Sequence, residues 1–363
     1  MADPRSLRAV LGATLLVLAA CTPAAQTAAP SAATPAPTTA PSTAPASVPP
    51  SPTPAAFPVT LTDDEGTDVT IPAPPTKIVS LTPATTETLF ALGAGNRVVA
   101  KVEDIANYPP EAADIEVVAT FAGVDVERIV ELEADLVVSA GSGLTQGDAV
   151  EQLRRAGIPV IVSYPTTVDE GLAGIQLIAR AIGASDDGDA LVETIKQRLE
   201  ELAAIAASAA TRPRTFYEID VTGGIFTPPA DSIYGEMLRL AGAEPISGDA
   251  NYSISLEELV AADPEVILLG DAAYGQSPEA VKARAGWGGM TAVKNGAIYP
   301  VDDIVVTRPG PRIAEGLYAL IVAIHPELAD QLPSPAPAPA SAASAAGVAS
   351  VAVSGVAALP KAA

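Results

Sequence analysis

Histidine and cysteine, the side chains that most often supply nucleophiles, proton relays and metal ligands, occur once each in the 363 residues, as His325 and Cys21. At that count no Ser-His-Asp set, Cys-His pair or multi-histidine metal cluster is legible. His325 precedes Pro326 and reads as an exposed or C-terminal capping residue at a helix end. Gly93-Ala-Gly95 follows a helix instead of opening one. Gly141-Ser-Gly143 has no lysine after its glycines, so both are turns and not phosphate loops. Paired carboxylates for hydrolysis are conceivable among 43 acidic residues, but no spacing singles out a pair. Cys21 is different. It follows Leu18-Ala19-Ala20, the small-residue pattern of a lipobox, behind Arg5, Arg8 and an apolar run over 9–20. That run is shorter than the roughly 20 residues a spanning helix needs and reads as a signal peptide cleaved ahead of a lipid-modified cysteine. A lone cysteine in an exported chain would otherwise be an unpaired thiol.

The chain around these residues divides by composition. Residues 1–20 are the signal peptide. Residues 21–56 are almost wholly Pro, Ala, Thr and Ser, without charge or apolar period, and form a tether; at about 3.1 Å per residue it reaches on the order of 100 Å. A second low-complexity stretch fills 331–363, to which no function is assigned. The 57–330 segment between them is long enough for one large domain or two lobes. The formal charge of −23 becomes −24 once Asp3, Arg5 and Arg8 leave with the signal. Such acidity argues against nucleic acid, which demands a basic surface, and favours solubility or a basic partner.

Within 57–330 the pattern is α/β. Alternating segments at 59–62 and 68–71 flank a turn at Asp63-Asp-Glu-Gly66 and predict a hairpin. Apolar strands fit at 77–81, 98–102, 116–119, 136–139 and 160–163, with helices between, and Thr82-Pro83 caps and opens the first helix before Gly93 stops it. Two long helical stretches follow at 168–182 and 185–210, where Leu191, Ile195, Leu199, Leu202 and Ile205 recur at helical spacing. A new series begins with a strand at 215–219, continues with a helix at 232–241 and strands at 266–269 and 297–300, and closes with a helix near 312–324. The second series repeats the first. Asp125-Val-Glu-Arg-Ile-Val-Glu-Leu-Glu-Ala-Asp-Leu-Val-Val138 aligns without gaps on Ser255-Leu-Glu-Glu-Leu-Val-Ala-Ala-Asp-Pro-Glu-Val-Ile-Leu268, and Glu87-Thr-Leu-Phe-Ala-Leu-Gly-Ala94 on Glu236-Met-Leu-Arg-Leu-Ala-Gly-Ala243. The expected architecture is two Rossmann-like lobes, each with a mainly parallel sheet (57–165 and 212–330), joined by rigid connecting helices (166–211), with a ligand cleft between.

Several segments together are specific: 62–72, Lys77-Ile-Val-Ser-Leu-Thr-Pro83 with Glu87, Tyr108-Pro-Pro110, the duplicated unit, Ala292-Val-Lys-Asn-Gly296 and Arg308-Pro-Gly-Pro-Arg312. Over roughly 59–328 they make the chain resemble the periplasmic-binding family that serves ABC importers of iron-siderophores, haem and vitamin B12, whose fold is the type III periplasmic-binding fold. The resemblance implies a monomeric binding module without catalysis or cofactor, lipid-anchored outside the cytoplasmic membrane. Its partners are an ABC permease and its ATPase, and its cargo is a metal chelate, a ferric siderophore or corrinoid. Haem, or a surface lipoprotein without transport, are the alternatives, and an α/β hydrolase is a third. The resemblance assigns permease docking to Glu127 and Glu257, at equivalent places in the repeat, although acids in a first helical turn also complement the helix dipole and Ser255 with Glu258 can form a capping box. For the cleft it points to loops after strands: Thr82, Pro83, Tyr108, Phe121, Tyr164, Phe226, Tyr252, Tyr274 and Arg308. The aromatics offer flat apolar contact. Arg308 offers a charge for a ligand carboxylate or ferric chelate, or else a structural ion pair. Phe121 stands where cobalamin binders carry tryptophan, which puts cobalamin in doubt. Trp287 and Arg312 read as structural. With so little histidine, no bare metal is expected; a metal arrives already chelated.

Overall fold

A computed structural model describes residues 57–141 and 148–334. The signal peptide, Cys21, the tether, Gly143 and the tail beyond Ser334 lie outside the described residues. The chain opens with the expected hairpin, β1 (Val59–Thr62) antiparallel to β2 (Asp68–Ile71). The N-lobe follows: β3 (Ile78–Ser80), α1 (Pro83–Ala91), β4 (Val98–Val102), β5 (Glu116–Thr120), β6 (Gly123–Val124), α2 (Val126–Glu131), β7 (Leu136–Ser139), α3 (Ala149–Arg155) and β8 (Val160–Val162). Its sheet runs β6-β5-β4-β3-β7-β8, parallel except for the short β6. Adjacent strand residues feed opposite faces. Ile78, Leu136, Val138 and Ile161 meet α1 and the next long helix, while Val79, Val137, Val160 and Val162 meet α2 and α3. Burial on both faces is why these strands read as continuous apolar runs rather than alternating ones.

Two helices lead out of the N-lobe, α4 (Val168–Ala181) and α5 (Ser185–Ala206), each starting where the periodicity predicted. Thr167 and Glu170 form a capping box on α4. Its first half, Val168, Leu172 and Ile175, packs into the C-lobe core, and its second half, Leu177, Ile178 and Ala181, into the N-lobe core. Helix α5 runs about 33 Å at 1.5 Å per residue and buries Val192, Ile195, Leu199, Leu202 and Ala206. The C-lobe comprises β9 (Arg214–Glu218), α6 (Ile233–Leu240), β10 (Glu244–Ile246), α7 (Leu256–Ala262), β11 (Val266–Leu269), α8 (Pro278–Ala283), α9 (Thr291–Asn295), β12 (Ile298–Pro300), α10 (Asp303–Thr307) and α11 (Ile313–Ile324). Its four-stranded parallel sheet runs β10-β9-β11-β12. Both lobes belong to one compact unit.

The repeat is structural down to single residues. Glu133 and Asp263, aligned with each other, both take left-handed backbone (φ 54° and 46°) at the turn from helix to strand. Two residues on, the aligned Asp135 and Glu265 each accept the backbone N–H that opens their lobe's first strand, from Lys77 at 2.9 Å and from Arg214 at 3.0 Å. Two expectations need correction. His325 caps α11 but is buried, 1% exposed, with Nε2 3.3 Å from the Gly242 carbonyl. A helix end packed against the αL turn after α6 leaves no room for solvent. The packed part also continues past 330: Leu332 is buried in the C-lobe core, and Arg198 donates to the carbonyls of Pro333 and Ser334 at 3.1 and 2.6 Å. Trp287 is core, edge-on to Phe216 with ring centroids 6.0 Å apart.

Candidate functional site

A cavity of about 1100 Å³ lies between the lobes, at or above the upper end of ordinary small-molecule pockets. Its N-lobe wall comes from the loops after β3, β7 and β8. After β3, the hydroxyl of Thr82 accepts from the Thr85 backbone, and the Ser80 hydroxyl bonds to those of Thr85 and Thr86 at 2.7 and 2.8 Å, so side chains of the loop and first turn hold the start of α1. After β8, the Tyr164 backbone donates to Asp64 at 2.7 Å, pinning the loop that presents its half-exposed ring. The C-lobe wall is more aromatic, with Phe226 and Tyr252 on the loops between β9 and α7. Phe226 is held by backbone bridges to Asp220 and Ser253. Of the nine residues the resemblance pointed to, Thr82, Pro83, Tyr164, Phe226, Tyr252 and Arg308 line this cavity.

Three do not. Tyr108 lies against Arg312, whose guanidinium carbon sits 4.0 Å from the ring centroid, so the ring serves as a cation–π platform for a structural arginine. Phe121, just past β5, is 95% exposed, and Tyr274 is 70% exposed. Both stand after strands, as expected, but neither is among the residues that line the cavity. Arg308 reaches the cavity wall with its charge already committed. It donates to Glu87 at 2.7 Å and to both oxygens of Asp104 at 2.6 and 3.2 Å. This ties the C-lobe segment after α10 to α1 and the loop after β4. Burial raises the Glu87 carboxyl more than Arg308 lowers it, and one of its oxygens has no partner. Burial acts on Asp104 in the same sense, but hydrogen bonds from Arg308 and from the backbone of Ala106 outweigh it, and its net direction is down.

The residues unforeseen from the sequence are Tyr217, Tyr234, Asp220, Asp231 and Asp303. Tyr217, 1% exposed, donates to Asp303 at 3.0 Å, and burial holds its phenol well above the ordinary value. Tyr234 donates to the Thr307 carbonyl at 3.4 Å; burial and the neighbouring Tyr252 push it up to about 12. At neutral pH these phenols stay protonated and act as donors. A signal for two of them was present. Extending the Glu87–Glu236 alignment five residues back puts Asp231 opposite Thr82 and Tyr234 opposite Thr85, the same cavity-facing turn in each lobe.

Glu127 and Glu257 are exposed in the first turns of α2 and α7 and make no ion pair or hydrogen bond among the described residues. The Ser255–Glu258 capping box is present and leaves Glu257 free of it. Among the described residues no helix is long and apolar enough to cross a membrane, and no group of three or more His, Cys, Asp or Glu could hold a metal ion.

The family model described as "Periplasmic binding protein" matches residues 78–305. An uncharacterized ABC transporter substrate-binding lipoprotein of Bacillus subtilis, YvrC, is 35% identical over 277 residues, covering 75% of this chain and 87% of that one. A vitamin B12-binding protein of Yersinia pestis is 30% identical over 196 residues, 53% of this chain and 69% of its own. Among solved structures, the periplasmic haem-binding protein BhuT with two haems superposes with a TM-score of 0.63 at 25% identity, over 69% of this chain and 98% of that one. These proteins are solute receptors and not enzymes. With its paired parallel sheets, helical junction and inter-lobe cavity, the chain belongs to the periplasmic binding protein family, as an ABC-transporter substrate-binding protein of the type III fold.

Proposed function

We propose that this protein is the extracytoplasmic receptor of an ABC importer, lipid-anchored at Cys21, which takes a bulky metal chelate into the inter-lobe cavity and delivers it to the permease. The chelate is a ferric siderophore or a corrinoid. The observation that carries this reading is the cavity itself. About 1100 Å³ is more than a simple sugar, amino acid or bare ion needs, and four tyrosines and a phenylalanine face it, suiting a broad ring or chelate surface. The family and the vitamin B12- and haem-binding relatives support the class of ligand. Haem is the second reading, favoured by the tyrosines, since tyrosine can ligate haem iron. The raised phenols of Tyr217 and Tyr234 weigh against those two as ligands, because ligation would first require deprotonation.

Glu127 and Glu257 are the proposed docking contacts. They are exposed, unpaired and equivalent in the two lobes, so both can be engaged at once by a two-fold permease surface. Reversing both charges is expected to abolish stimulation of the transporter ATPase in proteoliposomes and to leave ligand affinity unchanged. Loss of affinity in the purified double variant would refute the assignment.

A further inference from the structure

The charges around the cavity carry a conclusion about its cargo that rests on the receptor reading above. Three carboxylates line the cavity among the described residues: Asp220, Asp231 and Asp303. The one cationic side chain among the described residues of that lining, Arg308, is paired with Glu87 and Asp104, which lie behind it, and Glu87 also lies 3.9 Å from Arg312. The buried Lys101 belongs to β4 and is not in the lining. The N-termini of α1, α4 and α6 approach the cavity and would favour an anion. At each of them, however, one amide is already capped by a side chain, that of Thr85 by Thr82 on α1, of Glu170 by Thr167 on α4 and of Gly235 by Ser232 on α6, and the Val168 amide of α4 donates to the Glu236 carboxylate. Three helix ends of roughly half a positive charge each amount to less than three carboxylates. The whole chain adds to this field, with a formal charge of −23.

We infer that the cavity selects its chelate by charge, accepting uncharged or cationic complexes and rejecting polyanionic ones. A tris-hydroxamate ferric complex with a free ammonium, or a corrinoid ringed by neutral amides, fits this lining. A ferric tris-catecholate, which is a trianion, and haem, with two carboxylates, do not, because among the described residues no uncommitted guanidinium or ammonium lines the cavity. Each anionic group of such a ligand would approach Asp side chains that form no ion pair among the described residues, and like charges repel.

The test measures dissociation constants of the purified protein by quenching of Trp and Tyr fluorescence, at low and high salt. The probes are ferrioxamine B, dicyanocobinamide, ferric enterobactin and haemin. At least one of the first two should bind about tenfold or more tighter than either anion, and the affinity for the cation should fall with added salt. The triple variant Asp220→Asn, Asp231→Asn, Asp303→Asn keeps shape and hydrogen-bond acceptors, and its melting temperature reports that the fold is intact. In it the ratio of cation to anion affinity should drop about tenfold. An anion that binds as tightly as the cation, or a ratio unmoved in the triple variant, overturns charge selection while leaving the receptor reading standing. Silence with all four probes overturns both.

Discussion

At the scale of single residues, the most consequential finding is that Arg308 spends its charge on the protein. Its carboxylate partners are 3% and 8% exposed, so removing the guanidinium leaves Asp104 buried without its cation and Glu87 with only Arg312, 3.9 Å away. Arg308→Ala is expected to cost about 3–5 kcal/mol, read as a lowered melting temperature. If the arginine instead served the ligand, affinity would fall and stability would hold. A second buried acid, Asp271, lies next to Glu218, which Arg284 clamps. Burial, together with the charge of Glu218 and a hydrogen bond with its side chain, raises Asp271 to about 7. An acid held above its unfolded value binds more protons folded than unfolded, so its contribution to stability is fully present below about pH 4 and is lost as pH rises through about 7. Urea denaturation across that window should show stability falling with pH, at no more than about 1.4 kcal/mol per unit from this group. Asp271→Asn should flatten the slope.

At the scale of elements, the cavity depends on how closely α10 and α11 approach. Gly316 in α11 makes this possible: a Cβ there would lie 2.3 Å from the Val305 carbonyl oxygen and 3.1 Å from the Val306 Cα. Backbone cannot swing aside as a side chain can. In an exposed helix, glycine to alanine gains up to about 1 kcal/mol, but here Gly316→Ala is expected to destabilise by about 2 kcal/mol or more, since overpacking a tight contact costs roughly 1–3. Because Asp303 and Thr307 of α10 line the cavity, the same substitution should also weaken ligand binding. A stabilised variant with normal affinity would show that the contact relaxes freely.

At the scale of the molecule, two lobes built on one repeat face each other across a cavity, and α4 contributes to both cores. The junction is therefore packed on both sides, which suits small adjustments of the lobes more than wide opening. Ligand binding should register globally. At 100 times its dissociation constant a chelate stabilises by about 2.7 kcal/mol, which at roughly 2–4 °C per kcal/mol for a chain of this size is a thermal shift of about 5–10 °C. A screen of corrinoids, haem and ferric siderophores that moves the melting temperature for none of them would count against the proposed cargo.

What the sequence determined by itself is whatever short-range chemistry encodes. Strands buried on both faces announce themselves as apolar runs, helix starts by Thr82-Pro83 and Ser255 with Glu258, and the duplicated lobe by an ungapped alignment that holds to the left-handed Glu133 and Asp263. The family resemblance, rather than local chemistry, pointed to Tyr164, Phe226 and Tyr252 as cleft residues. Which loops turn inward was decided only by tertiary structure. Tyr108 and Phe121 also follow strands yet are not in the cavity lining; one carries Arg312 and the other is almost wholly exposed. Arg308 and the pair Glu87 and Asp104 are more than 200 residues apart, and burial puts them together. Charge pairing across such a distance has no local signature. It follows from the way two sheets and a shared helix bring their ends to one place.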